Sequence, residues 1–204
     1  MKESALDDLV RLDASSIEQA TLVLVRSFQD DPMWSYFIPR GDKRRKLISD
    51  IFAIHLRNAI KCGEVYAPTS NLEGIAAWIP SDKLKMTIGR LFSDNPLRLF
   101  FQLGIHSVMR MIRVETVTAA VRQRQAPPYY YYLSPVAVDP RFQGQGYASR
   151  LIKPMLARLQ AEKIPCFLET QSERNVAMYG HFGFRILEKI DIPGVAISHW
   201  AMVK

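Results

Sequence analysis

The stretch whose residue types and spacing point most directly to chemistry is Arg141-Phe-Gln-Gly-Gln-Gly-Tyr-Ala148. It links the apolar run "LSPVAVDP" to the amphipathic "SRLIKPMLARLQAEK", and two glycines leave little bulk around Gln145. A glycine loop that opens a helix offers backbone N–H groups to a phosphate, since the first N–H groups of a helix lack internal acceptors. Glycine also lets the oxygens approach the chain. A Walker A loop needs GxxxxGK[ST]; no Lys-Ser or Lys-Thr follows these glycines, so that chemistry is excluded. A dinucleotide fingerprint fits better: Gly144, Gly146 and Ser149 give GxGxxS, with Glu169 ending the next strand, 25 residues past Gly144. The tail beyond Glu169 is too short to complete a dinucleotide domain.

Pro135 is a second irregularity, because proline in a central strand is tolerated only at a bulge. A bulge would splay this strand from its neighbour and leave N–H donors unpaired in a crevice, where an oxyanion or an amide-bearing ligand could use them.

The elements around these residues change character along the chain. "SSIEQATLVLVRSF" has helical apolar spacing with Ser15 or Ser16 as cap, and Pro32 stops it. A helix is expected from about 43 to 61, closed by Gly63, followed by short strands "EVYAP" and "GIAAWIP". Residues 82–125 read as two or three helices broken near "SDNP", with Leu97, Phe100, Phe101, Ile105, Val108 and Ile112 forming a buried face. From 128 onward strands and helices alternate, and "DIPGV" reads as a turn between the last two strands. The class is α/β (α+β) with a mixed sheet.

The 204 residues, 48% hydrophobic, allow one sizeable core. No basic-then-apolar leader opens the chain, and arginines interrupt the most apolar run, 97–113, so the expectation is a soluble cytoplasmic protein with no membrane partner. Cys62 and Cys166 have no metal or disulfide spacing, and no metal is expected. The net charge of +7 is dispersed apart from "DKRRK"; it fits a polyanionic cofactor, and nucleic acid is not expected as a partner.

Arg141-x-x-Gly144-x-Gly146 before a helix, the strand "YLSPVAVDP" preceding it, and Asn175, Tyr179 and "FGF" (182–184) following it together resemble the GCN5-related N-acetyltransferases (GNAT), whose acyl-CoA loop reads [Q/R]-x-x-G-x-[G/A]. Over roughly the last 75 residues, including "FLET", the chain is similar to the puromycin N-acetyltransferase branch. The resemblance implies a GNAT fold: a mixed, mostly antiparallel central sheet with a splayed strand pair, flanked by helices. It implies one domain over 1–204, with acceptor-side helices at roughly 1–127 and an acyl-CoA-binding core at roughly 128–204. It also implies acetyl-CoA as co-substrate, held by Arg141, Gln143, Gly144, Gln145, Gly146, Tyr147, Ala148 and Asn175, and by the backbone of Val136 (thioester oxygen) and Val138 (pantetheine arm).

In that chemistry an amine attacks a thioester through a tetrahedral intermediate and releases a thiolate. Tyr179 matches the family's general acid, whose phenol protonates the thiolate. Where some members carry a glutamate on the strand before the loop, this chain has Tyr132, so Glu169 is the best remaining base; a purely structural acceptor role for it stays open. "QDDPMWSYF" could border the acceptor, with Asp30 and Asp31 for an ammonium and Trp34, Tyr36 and Phe37 for an apolar body, or be turn and core. The expected activity is acetyl transfer to a primary amine of a small molecule or peptide. A non-catalytic acyl-CoA-sensing domain is the alternative, and a homodimer stays open.

Overall fold

The computed structural model describes residues 6–39, 41–84 and 96–204, with the backbone alone over 96–100. The elements run β1 (Val10–Arg11), α1 (Ile17–Phe28), α2 (Pro32–Phe37), α3 (Arg44–Cys62), β2 (Glu64–Ala67), β3 (Gly74–Pro80), α4 (Pro96–Gln125), β4 (Tyr131–Val138), α5 (Tyr147–Ala161), β5 (Cys166–Thr170), α6 (Glu173–His181), β6 (Arg185–Asp191) and β7 (Ser198–Val203). Among the described residues they build one sheet in the order β1-β2-β3-β4-β5-β7-β6. Only the β4–β5 pair is parallel, so the sheet is mixed and mostly antiparallel.

Strand alternation sorts the core into two layers. Val65, Ala67, Ile75, Ala77 and Ile79 face α1 and α3 with Leu24, Ile48 and Leu56. Tyr66, Ala76 and Trp78 point the other way, onto Leu151, Met155 and Leu159 of α5. Each fully buried Leu or Ile contributes about 1.5–3 kcal/mol, so both layers hold the sheet rigid between the helices. α3 stops at Gly63, where a Cβ would lie 2.1 Å from the Trp78 carbonyl.

Some local expectations change. Asp13 caps the turn before α1 by accepting from Ser15 N–H, while Ser16 makes no side-chain cap bond. α4 is kinked at Gly104 (φ 72°, ψ 155°); the expected break near "SDNP" falls partly on 85–95, outside the described residues. The single buried face expected there is not continuous. Val108 is buried and Ile112 partly so, but the Gly104 kink turns Phe101 (78% exposed) and Ile105 (53%) outward. The side chains of Leu97 and Phe100 lie outside the described residues.

Candidate active site

The site begins at the irregularity Pro135 creates. Ala76 pairs with Val136 and Trp78 with Leu133, so Ser134 and Pro135 bulge out of the β3–β4 ladder. On its other side β4 pairs with β5 only at Tyr131–Cys166 and Tyr132–Phe167, then runs on without a strand neighbour to Val138. The Asp139 N–H bonds the Glu73 carbonyl on the β3 side. By alternation the N–H groups of Val138 and Val136 point to the open edge. The Val138 carbonyl, on that same edge, accepts from Ser27 Oγ and Gln143 Nε2 at 3.1 Å each.

The glycine loop closes one end of this edge. Gly144 and Gly146 have φ of 77° and 82°, left-handed values that favour glycine, and a Cβ on either would meet nothing within 4 Å. Gly146 is the N-cap of α5 and no side chain caps the helix, so its first N–H groups face that open space. Tyr147 packs edge-on against Phe142 at 5.9 Å, and Gln145 Nε2 bonds the Arg141 carbonyl. Arg141 grips Asp139, which is fully buried and also bound by Arg26; these guanidiniums and the Arg141 N–H pull its pKa down to about 2. The loop is therefore rigid at its base and bare at its tip, a fit for a pyrophosphate.

Beyond Tyr132, on the face of α3 and α4, lies a cavity of about 310 Å³. Its inner end is a charge network. Glu169, its side chain 4% exposed, accepts from Arg122 Nε (2.8 Å) and Nη2 (2.6 Å) and from the Tyr132 hydroxyl (2.8 Å). Glu169 Oε1 lies 3.2 Å from Nε2 of the buried His199, and neither atom has a hydrogen-bond partner among the described residues. The Gln171 amide meets His199 Nδ1 at 3.0 Å. Burial raises the Glu169 pKa, but His199, Arg122 and Tyr132 outweigh it and hold the carboxyl below its usual range. The same burial, with Glu169 beside it, pushes the Tyr132 phenol well up. Glu115, 3.5 Å from Arg122 Nη1, is raised by desolvation.

The other walls are apolar. Met33, Trp34 and Phe37 of α2 line the cavity with Val108 and Met111 of α4. Asp31 instead caps α2, accepting from Met33 and Trp34 N–H at 2.9 and 3.1 Å, and Asp30 borders a different, smaller depression. Trp34 and Phe37 of "QDDPMWSYF" thus reach the cavity and its acids do not. Tyr36 packs on Phe37 and under Arg110 rather than lining it.

The two side chains singled out for acid and base work lie on opposite sheet faces. Tyr179 packs with Leu168, Met155 and Phe184 on the α5 side, and burial pushes its phenol pKa up. Asn175, one turn earlier on α6, reaches Thr170 Oγ1 at 3.5 Å. Between the two faces, β4 and β5 have no ladder pairing beyond Tyr132 and Phe167. Arg122 and Glu115 escaped the sequence reading because a polar residue on a long helix reads as a solvated face, and Gln171 and His199 because a single polar residue at the end of a strand leaves no local mark. The available signal was a glutamate and an arginine seven residues apart, two turns along one face of the helix.

Among the described residues no group of three or more His, Cys, Asp or Glu is arranged to hold a metal, and no helix is long and apolar enough to cross a membrane. Residues 91–184 match the acetyltransferase (GNAT) family model. The chain is 26% identical over 180 residues to an uncharacterised N-acetyltransferase of Schizosaccharomyces pombe, covering 85% of this chain and 72% of that one. Its fold resembles a crystal structure from Corynebacterium glutamicum described as histone acetyltransferase HPA2 and related acetyltransferase (TM-score 0.65, 22% identity, 96% and 94% of the two chains). It also resembles the Drosophila melanogaster polyamine N-acetyltransferase that forms N-acetylagmatine (TM-score 0.58, 15% identity, 96% and 98% covered). The acetyltransferase match over residues 91–184 and the relative support an N-acetyltransferase, and the fold is the one seen in those acetyltransferase structures.

Proposed function

We propose that the protein transfers the acetyl group of acetyl-CoA to the primary amine of a small molecule by direct attack. The observation that carries this reading is the unpaired β4 edge, bounded by a bare glycine loop at one end and a polar-ended cavity at the other. The loop N–H groups from Gln143 to Ala148 bind the pyrophosphate, with Arg141 beside them. Asn175 and the Val138 N–H hold the pantetheine arm. The Val136 N–H donates to the thioester oxygen as it gains charge, a contribution most effective where water is excluded.

As the new C–N bond forms and the C–S bond breaks, the proton shed by the amine passes to Glu169. That carboxyl is ionised at neutral pH, hence in the accepting form, and its Oε1 has no hydrogen-bond partner among the described residues. The departing thiolate takes its proton from the Tyr179 phenol, which burial keeps protonated until then. Solvent restores that proton after release. The polyamine acetyltransferase of similar fold supports a small amine as acceptor. The "FLET" strand and short Asn-to-Tyr spacing favour the puromycin-acetyltransferase branch within the superfamily.

A panel of amines assayed by CoA thiol release tests the reading, alongside melting with acetyl-CoA, NADH or ATP. Thiol release and a rise in the melting midpoint with acetyl-CoA alone are expected, since a ligand of the native state stabilises it. A larger shift with NADH would overturn the reading in favour of a dinucleotide; a shift with acetyl-CoA but no turnover on any amine would leave the acyl-CoA-sensing alternative.

A further inference from the structure

The charged side chains lining the cavity are few and unevenly placed. Among the described residues, apart from the two histidines, they are Arg122, Glu169 and Glu115. Arg122 and Glu169 meet at 2.6 Å and neutralise one another. Glu115 touches only the outer nitrogen of Arg122, at 3.5 Å, and its side chain is 40% exposed. The described lining therefore carries one unbalanced negative charge, at the end where β4 opens.

The opposite walls carry none. Trp34, Phe37, Met33 and Met111 are apolar, and α3 contributes Asn58 and His55. His55 sits among apolar neighbours, and desolvation lowers its pKa to about 4, so both polar groups on that wall are neutral at pH 7. A second ammonium there would be desolvated with no carboxylate to pair with among the described lining residues.

We propose that the acceptor is a monoamine on an apolar, aromatic-sized body, its ammonium docked on Glu115 and its body against Trp34 and Phe37. Glu115 acts in this way as a binding residue for the amine, distinct from the proton acceptor. The cavity volume, at the low end of small-molecule sites, suits such a body. Di- and polyamines are excluded by the uncharged far wall. The inference rests on the acetyltransferase reading but is separable from it.

The test compares 2-phenylethylamine with putrescine, spermidine and a lysine peptide at saturating acetyl-CoA, in the wild type and in Glu115→Gln. The expected result is a kcat/KM at least about tenfold higher for 2-phenylethylamine. Glu115→Gln should raise its KM by about 10–100-fold, the scale of a lost charge-assisted bond, with the KM for acetyl-CoA within about twofold. Glu115→Asp should recover part of the loss. A diamine or the peptide preferred, or a 2-phenylethylamine KM unmoved in Glu115→Gln, overturns the proposal while leaving acetyl transfer intact. If no amine turns over, the acetyltransferase reading fails on its own. Calorimetry of 2-phenylethylamine on the free protein then decides this one: binding lost in Glu115→Gln supports it, and absence of binding overturns it.

Discussion

At Gly144 and Gly146 the protein offers a ligand bare backbone: both residues are left-handed, and the space where their side chains would be is open. Around Glu169 it does the reverse. There three side chains, Arg122 of α4, Tyr132 of β4 and His199 of β7, converge on one buried carboxylate. The first region depends on what has been removed from the chain, the second on groups that must balance one another. A substitution in the loop should therefore cost binding and little stability, whereas one in the network should cost stability first.

Tyr179 is expected to show the largest effect, because it asks whether the loop's side of the sheet contributes a reacting side chain at all. Tyr179→Phe removes one oxygen from a buried ring packed on Phe184. Turnover should fall by roughly 10²–10⁴-fold with acetyl-CoA affinity and melting midpoint nearly unchanged. A rate within about threefold of wild type, measured at saturating acetyl-CoA, would assign the proton elsewhere and leave that side with backbone chemistry only.

In the network, Arg122→Met leaves Glu169 buried without its cation. Breaking one side of a buried pair costs about 3–5 kcal/mol, so the urea midpoint should drop steeply. Adding Glu169→Gln should return much of it, since the orphaned charge is then gone. A double variant no more stable than the single one would show that Arg122 acts through packing on Tyr132 instead.

The contrast also explains what could be read from the chain. Pro135 and the glycines are legible because a backbone requirement leaves a local mark: a proline where a strand should be whole, two glycines before a helix. The mixed sheet and the bulge followed from those marks and from the alternation after residue 128. The network is not legible in that way. Arg122 and Glu169 are 47 residues apart, and nothing local distinguishes Arg122 from a solvated helix residue. Asp31 shows the opposite hazard: an acid that suits an ammonium by type is consumed in capping α2, as its position before Pro32 and two free N–H groups dictates. The outward turn of Phe101 and Ile105 follows from one left-handed glycine, Gly104, inside a helical pattern.

Gly146→Val sharpens the difference from the other direction. A branched residue at φ 82° is strained by about 1–2 kcal/mol, yet its Cβ strikes nothing in the protein. The fold should survive while CoA affinity falls at least about tenfold, or about 1.4 kcal/mol, by calorimetry. Unchanged affinity would remove the loop from the donor site.

The smallest effect is expected at Asp139, which ties the two halves together. Its carboxylate holds Arg26 of α1 at 2.7 Å and Arg141 at the loop entrance at 2.9 Å, and accepts from the Arg141 N–H. Asp139→Asn keeps the shape but removes the charge that both guanidiniums share. Hydrogen bonds to charged groups are worth about 1.5–3 kcal/mol, and Arg141 is largely exposed, so a loss of about 1–2 kcal/mol at pH 7 is the expectation. The pH dependence gives the sign. The folded pKa of about 2 lies below the ordinary 3.8, so the carboxylate's contribution is complete above about pH 4 and disappears as pH falls through 2. Urea melts of wild type and Asp139→Asn should therefore differ at pH 7, draw together below pH 4, and coincide near pH 2. Curves that stay parallel across that range would mean that the asparagine loses packing rather than charge, and that Asp139 is not the electrostatic tie between α1 and the loop.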